Sequence, residues 1–205
     1  VYLSTAYFAP ISYYASFLRN DRIDIEQWCN YTKQTYRNRC HIAGANGLLA
    51  LAVPIVKPDT IKCPTKDIRI SDHGEWRHLH WNAIASAYGS SPFFEYYQDD
   101  IRPFFEKRYE FLLDFNEEIR RTVCNLIGIE PHIEYSSSYS EPAPGETDLR
   151  DVIHPKRRKA ETILPVQLKP YYQVFSEKYG FQPDLSIIDL LMNMGPESIL
   201  ILQNT

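Results

Sequence analysis

The sequence predicts an α/β protein: a mostly parallel sheet opened by a βαβ unit, with a β-hairpin and a helical middle segment. Three observations carry this prediction. The chain opens on a short aromatic run, then helical spacing, then strict alternation; an Asn46-Gly47 dipeptide separates two apolar runs; and the apolar period becomes 3.6 residues after Gly74.

Leu3 to Phe8 is rich in aromatics and ends before Pro10, which reads as a buried strand. Tyr13, Tyr14, Phe17 and Leu18 follow at helical spacing. Asp21 to Gln27 alternates Ile23 and Ile25 with Asp24 and Glu26, the period of a half-buried strand. His41 to Gly44 and Leu48 to Val56 flank Ala45-Asn46-Gly47 as a hairpin, because Asn-Gly tolerates the two positive φ angles of a type I′ turn. Ile61 to Ile70, broken by Pro64, reads as a further strand.

After Gly74, the residues Trp76, His80, Ala83, Ile84 and Ala87 share a helix face as far as Gly89. A second helix runs from about Pro92 to Phe105, interrupted by Pro103. A third spans Tyr109 to Ile127, with Leu112, Phe115, Ile119, Val123 and Leu126 as its stripe and Gly128 as its stop. Ile133 to Tyr139 reads as a strand. Glu141 to Arg158 contains Pro142, Pro144, Gly145 and Pro155 among charges and reads as an exposed loop. Pro170 to Phe175 is extended, a helix follows at Ser186 to Met194, and Glu197 to Leu202 closes the chain as a turn or a helix.

At 205 residues the chain predicts a single domain over 1–205, with the helical segment at about 74–128 and the exposed loop at about 141–168. Lys and Arg number 22 against 26 Asp and Glu, a formal charge of −4. General nucleic-acid binding needs a basic excess to neutralise phosphates, so that class is disfavoured. The longest apolar run, Leu48 to Val56, is far short of the roughly 18 residues of a membrane span. The N-terminus lacks a basic region followed by a cleavage site, which predicts a mature, non-secreted, cytoplasmic protein. Cys29, Cys40, Cys63 and Cys124 form no CxxC pair and predict reduced thiols.

The residues that bear chemistry cluster at Asn30 to His41, where Lys33, Arg37, Asn38 and Arg39 follow the second strand. Guanidinium forks and an ammonium there suit a phosphate or a carboxylate, the alternative being a solvated basic surface. His78 and His80 diverge on a helix and cannot chelate one ion as an HExxH pair does, so no metal site is predicted. His80, on the apolar face, is either a satisfied core histidine or a general base. Cys40 and His41 point to opposite faces of a strand, which argues against a thiol–imidazole pair. Lys156 to Lys159 reads as a solvated basic loop. The tyrosines of the opening, Tyr7, Tyr13 and Tyr14, fit either a core or an aromatic pocket for a sugar or a base.

Several long motifs occur in one order: Tyr7-Phe8-Ala9-Pro10-Ile11-Ser12-Tyr13, Lys33-Gln34-Thr35-Tyr36-Arg37-Asn38-Arg39, Asn46-Gly47 with Val53-Pro54, Trp76-Arg77-His78-Leu79-His80-Trp81, Ala87-Tyr88 with Ser91-Pro92-Phe93-Phe94, and Pro183 to Leu191. Together they resemble the WbqC-like protein family over nearly the whole chain. The resemblance implies a pathway, O-antigen and other surface-polysaccharide assembly, more than one defined reaction. It also implies that longer members carry a Gly-containing segment and a further helix where this chain has only Glu141 to Leu168, so that specificity here is reduced or different. The resemblance further implies a residue other than cysteine at the position of Cys40, which weakens a thiol mechanism. More loosely, the opening is similar to the first βα unit of nucleotide-binding folds, whose helix amides face phosphate; that helix would start near Ile11 or Ser12.

These readings lead to an enzyme that acts on a nucleotide-activated sugar by group transfer, with acyl or aminoacyl transfer to an amino sugar as the reaction class. Lys33, Arg37 and Arg39 would bind diphosphate, Asn38 would orient it, Tyr7 and Ser12 would line the site, and His80 would act as base. The sequence leaves the cofactor unknown. The alternative is a non-catalytic adaptor that holds a pathway enzyme through an aromatic surface at Pro92 to Tyr97.

Overall fold

The computed structural model describes residues 1–60, 62–156 and 167–205; Ile61 and Arg157 to Lys159 of the basic run lie outside them. The opening is the βαβ unit that the sequence predicts. Strand β1 (Tyr2–Ser4), helix α1 (Ile11–Arg19) and strand β2 (Ile23–Glu26) lead to a parallel pairing of Tyr2 with Asp24 and Ser4 with Glu26. Strand β5 (Ile133–Tyr135) pairs in parallel with the other edge of β2, giving the order β1-β2-β5. Because β2 is the central strand, Asp24 and Glu26 are buried along with Ile23 and Ile25, so the alternation marks no solvent face.

The first strand is shorter than the sequence indicates. Beyond Ser4 the chain leaves the sheet: Tyr7 N–H donates to Tyr36 O, and Phe8 takes a positive φ of 37° in a fully buried turn. The antiparallel hairpin joins β3 (Arg39–Gly44) to β4 (Gly47–Ala52) in six pairs. Its turn is not type I′. The positive φ of 102° falls on Gly47, while Ala45 and Asn46 stay on the negative side. The strand expected up to Ile70 is absent among the described residues. Pro64 has no N–H for a ladder, and the chain forms a 3₁₀ turn at Thr65–Asp67, leaving Ile70 only an isolated bridge to Ile55.

The helical middle comprises α2 (Trp76–Tyr88), α3 (Phe94–Ile101), α4 (Pro103–Glu106) and α5 (Leu112–Ile127). Leu112, Phe115, Ile119 and Val123 are fully buried along α5, and Gly128 ends it in the left-handed conformation. Phe115 sits in an aromatic core, stacked on Tyr7 at 5.6 Å and edge-on to Trp76 at 5.9 Å between ring centroids. The short α6 (Ser176–Tyr179) precedes α7 (Ile187–Met194), capped by the Ser186 hydroxyl, and α8 (Ser198–Gln203). Asp189 on α7 accepts from Tyr88 (2.9 Å), Tyr171 (2.5 Å) and Gln173 (2.9 Å), tying α2 and the 171–173 segment to α7.

Part of the expected exposed loop is a wall. Tyr2 N–H donates to Thr147 O and Leu149 N–H to Tyr2 O, so this segment runs alongside β1, with Leu149 and Ile153 buried. The sequence shows only the prolines and charges; two apolar residues four apart are enough to dock it.

Candidate functional site

In open parallel sheets ligands bind beyond the carboxyl ends of the strands, where backbone and loops leave a crevice. Here that edge is formed by Ser4, Glu26 and the residues after Tyr135. A cavity of about 430 Å³ lies there, lined by Trp28, Cys29, Asn30, Thr32, Arg37, Tyr139, Arg150 and Asp151.

Glu26 organises the site. Its side chain is fully buried at the end of β2. Oε1 accepts from the Trp28 amide (2.6 Å), the Cys29 amide (3.2 Å) and the Ser136 hydroxyl (3.0 Å), and Oε2 accepts from the Ser140 amide (3.2 Å). One carboxylate thereby fixes both the loop after β2 and the loop after β5. The Trp28 ring is clamped in turn: Nε1 donates to Ser136 O (2.9 Å), and the Lys66 ammonium lies 4.4 Å above the ring.

Arg37 is the exceptional group. It is only 4% exposed, and its backbone is held by Asn116, whose amide donates to Arg37 O at 2.8 Å. Its guanidinium donates to the Ser4 hydroxyl (2.7 Å) and approaches the Cys29 sulfur (3.4 Å), neither of them a carboxylate. Nε has no hydrogen-bond partner, and no carboxylate among the described residues pairs with the side chain. A buried guanidinium normally has an acid beside it, because desolvation costs several kcal/mol. Arg150, across the cavity, has that compensation: Asp148 at 2.7 Å, with Glu26 4.0 Å away. Hydrogen bonding to Asp148 raises the Arg150 pKa, and the same contact lowers that of Asp148. The Arg150 guanidinium also lies 5.6 Å from the Tyr2 ring and 5.9 Å from Tyr139.

A wider cleft of about 540 Å³ near α2 and α4 includes Arg77, Arg102, Glu75 and Glu106. Its arginines are already committed, Arg77 to Asp72 (2.6 Å) and Arg102 to Glu106 (2.7 Å). Of these two hollows, the one at the sheet edge presents a buried cation with no acid beside it among the described residues.

The model of the family described as the WbqC-like protein family matches residues 5–164. The chain belongs to the WbqC-like protein family. The matched stretch takes in every residue that lines the sheet-edge cavity of this WbqC-like chain. It is also similar to the "Uncharacterized protein Rv1507c" of Mycobacterium tuberculosis, at 25% identity over 214 residues, 94% of this chain and 89% of that protein. No solved structure matches. Among the described residues no helix is long and apolar enough to cross a membrane, and no group of three or more His, Cys, Asp or Glu could hold a metal ion.

Of the residues that the WbqC-like motifs and charges single out, Arg37 alone lines the cavity. Lys33 is exposed on the preceding loop, and Arg39 opens β3, half-buried. Asn38 donates to Val53 O at 2.8 Å and closes the base of the hairpin. Ser12 gives both its amide (2.9 Å) and its hydroxyl (3.1 Å) to Asp184. Ile11 N–H is taken by Leu185 O, so the chain's own groups occupy the α1 N-terminus where a phosphate would sit by analogy with nucleotide-binding folds. Cys40 is buried, and burial drives its thiol pKa far up, which makes it a poor nucleophile.

Tyr7 and His80 bond each other at 2.9 Å between the phenol and Nδ1, inside the core. Burial pushes the His80 pKa down to about 4, against a smaller opposite pull from the Ala52 carbonyl. Those two partners fix the neutral tautomer, with Nδ1 accepting and Nε2 donating. The fold therefore refuses a proton that the unfolded chain takes up below its ordinary pKa of 6.5. Between about pH 7.5 and about pH 4.5 this one group lowers stability by roughly 2.5 kcal/mol, the loss growing as pH falls and levelling off below the folded pKa. His80→Gln keeps both hydrogen bonds without a titration. Urea unfolding at the two pH values is expected to show that much less acid destabilisation in the variant, and an equal loss in both proteins would refute the assignment.

Cavity residues outside the Asn30 to His41 cluster escape the sequence reading. Glu26 reads as one polar position of an alternating strand, and Tyr139, Arg150 and Asp151 lie in or beside a stretch that reads as loop. A signal does exist for Glu26: it ends a strand and is followed at once by Trp28 and Cys29, the geometry in which a carboxylate caps the next turn.

Proposed function

We propose that this WbqC-like protein is a group-transfer enzyme of surface-polysaccharide assembly that acts on a nucleotide-activated sugar in the sheet-edge cavity. The observation that carries the reading is Arg37: buried, with no acid paired to it among the described residues, and lining a cavity at the carboxyl ends of parallel strands. A diphosphate supplies the negative charge that the fold withholds, and a guanidinium offers it a planar fork. Arg150 flanks the same cavity, and Trp28 and Tyr139 give aromatic surface for a base or a sugar ring. In this reading His80 keeps the core in register and takes no proton from substrate.

The adaptor alternative needs an exposed aromatic surface at Pro92 to Tyr97. Phe94 and Tyr97 are buried there and Tyr96 alone is mainly exposed, so the enzyme reading has the better support.

A thermal-shift screen of uridine and thymidine diphosphate sugars tests the proposal. A ligand at 100 times its Kd adds about 2.7 kcal/mol, which in a chain of this size raises Tm by about 5 °C or more. Selective stabilisation by some of these nucleotides, retained in Lys33→Ala, is the expected result. No shift with any of them would overturn the assignment.

A further inference from the structure

Cys29 lines the sheet-edge cavity, half-buried, on the loop that leaves β2. Glu26 takes its amide at 3.2 Å, which fixes the residue at the cavity wall. Around the sulfur, Arg37 Nη2 donates to Sγ at 3.4 Å, Thr65 Oγ1 lies 3.5 Å away and Glu26 O 3.8 Å away. Arg37 lines the same cavity, buried, with Nε unpartnered and no acid beside it among the described residues. The other thiols lack this setting. Cys40 is buried, and Cys63 is half-buried with its Sγ turned to Pro64 O at 3.6 Å. Cys124 has Arg120 beside it, but that guanidinium is paired with Glu117 at 2.8 Å, and burial pushes the thiol up to about 11.

We infer that Cys29 is a modification site: a peroxide oxidises its sulfur, and the anionic oxygen so formed pairs with Arg37. A thiol reacts as its anion, and a cation that donates to the sulfur stabilises the charge that develops there in attack. Sγ attacks one peroxide oxygen; the S–O bond forms as the O–O bond breaks, and the departing hydroxide takes the thiol proton to give water. Sulfur loses two electrons and peroxide gains them. A second peroxide adds another oxygen in the same way and leaves a sulfinate, an anion at neutral pH. With Sγ already 3.4 Å from Nη2, this oxygen meets the guanidinium and competes with any other anion for it. Oxidation ends on oxygen rather than in a disulfide with Cys63. Thr65 N–H donates to Cys29 O and Tyr31 N–H to Cys63 O, so across this antiparallel bridge the two cysteines are offset by two residues. That diagonal separates Cα atoms by about 7–8 Å, beyond the usual span of a disulfide.

The test treats the full chain with limiting hydrogen peroxide, traps sulfenic acid with dimedone and reads the peptides by mass spectrometry, in wild type, Cys29→Ser and Arg37→Met. Cys29 is expected to label before the other three cysteines, and about tenfold more slowly in Arg37→Met, the rate equivalent of one hydrogen bond from a charged donor. Oxidised without dimedone, the wild type is expected to melt about 2–4 °C above the reduced chain, a rise absent from Cys29→Ser treated alike. First labelling at Cys40, Cys63 or Cys124, a Cys29–Cys63 disulfide, or an unchanged rate at Cys29 in Arg37→Met would overturn the inference. A Tm that oxidation leaves unchanged or lowers would overturn the pairing with Arg37. The labelling order and the Tm rise are read in the wild type, so both decide the matter even if Arg37→Met folds poorly. No nucleotide enters the experiment, and its outcome is independent of the proposed function.

Discussion

Arg37→Met is expected to abolish nucleotide-sugar binding while leaving the free protein at least as stable as the wild type. The two effects have one cause. In the free protein the guanidinium is buried against a hydroxyl and a sulfur, with Nε unpartnered, so its desolvation is only partly repaid. Methionine fills similar volume without that cost, and stability is expected to hold or rise by about 1 kcal/mol. Binding depends on the same uncompensated charge. Losing a charge-assisted hydrogen-bond pair costs about 3 kcal/mol, a drop in affinity of about 100-fold or more. A structural Arg37 predicts the reverse, a destabilised variant with unchanged affinity. Urea unfolding and calorimetry on the same preparation distinguish the two.

Glu26→Leu is expected to destabilise the protein by about 3–5 kcal/mol, because it strands several buried donors at once. The Trp28, Cys29 and Ser140 amides and the Ser136 hydroxyl all donate to this side chain. Glu26→Gln separates hydrogen bonding from charge. Its amide oxygen can take the place of Oε1 and keep three donors, while its NH₂ group then faces the Ser140 amide and Arg150. A loss of about 1–2 kcal/mol is expected for Gln, well below that for Leu. Equal losses in the two variants would mean that charge, not hydrogen bonding, holds the loops. Trp28, clamped to Ser136, reports loosening of the site by its fluorescence.

The fold was legible wherever local pattern and tertiary demand agree. The stripe on α5 and the apolar face of α2 follow from period alone, since each buries one face against the core. Misreadings arose where burial is two-sided or a backbone donor is missing. Asp24 and Glu26 look solvent-facing because alternation does not reveal that β2 is central, and Pro64 breaks a run that side-chain pattern alone makes a strand. The candidate site was harder to see. Its walls come from residues 28–37, 139 and 150–151, brought together only when β5 pairs with β2 and the 147–149 segment docks on β1. Basic character identified Arg37 among its neighbours, but nothing local distinguishes the buried Arg37 from the half-buried Arg39 two residues on. His80 shows the converse: a motif-borne histidine on an apolar helix face is satisfied by Tyr7 and Ala52 within the core.

The central claim, that Arg37 awaits an anionic group, is tested most directly at its own Nε–H. In a ¹⁵N-labelled sample the Arg37 Nε–H resonance is identified as the signal missing from Arg37→Met. Adding a uridine diphosphate sugar is expected to shift that signal to a saturable end point, with the same Kd as calorimetry gives. A ligand that binds by calorimetry yet leaves the Arg37 signal in place would contradict the account.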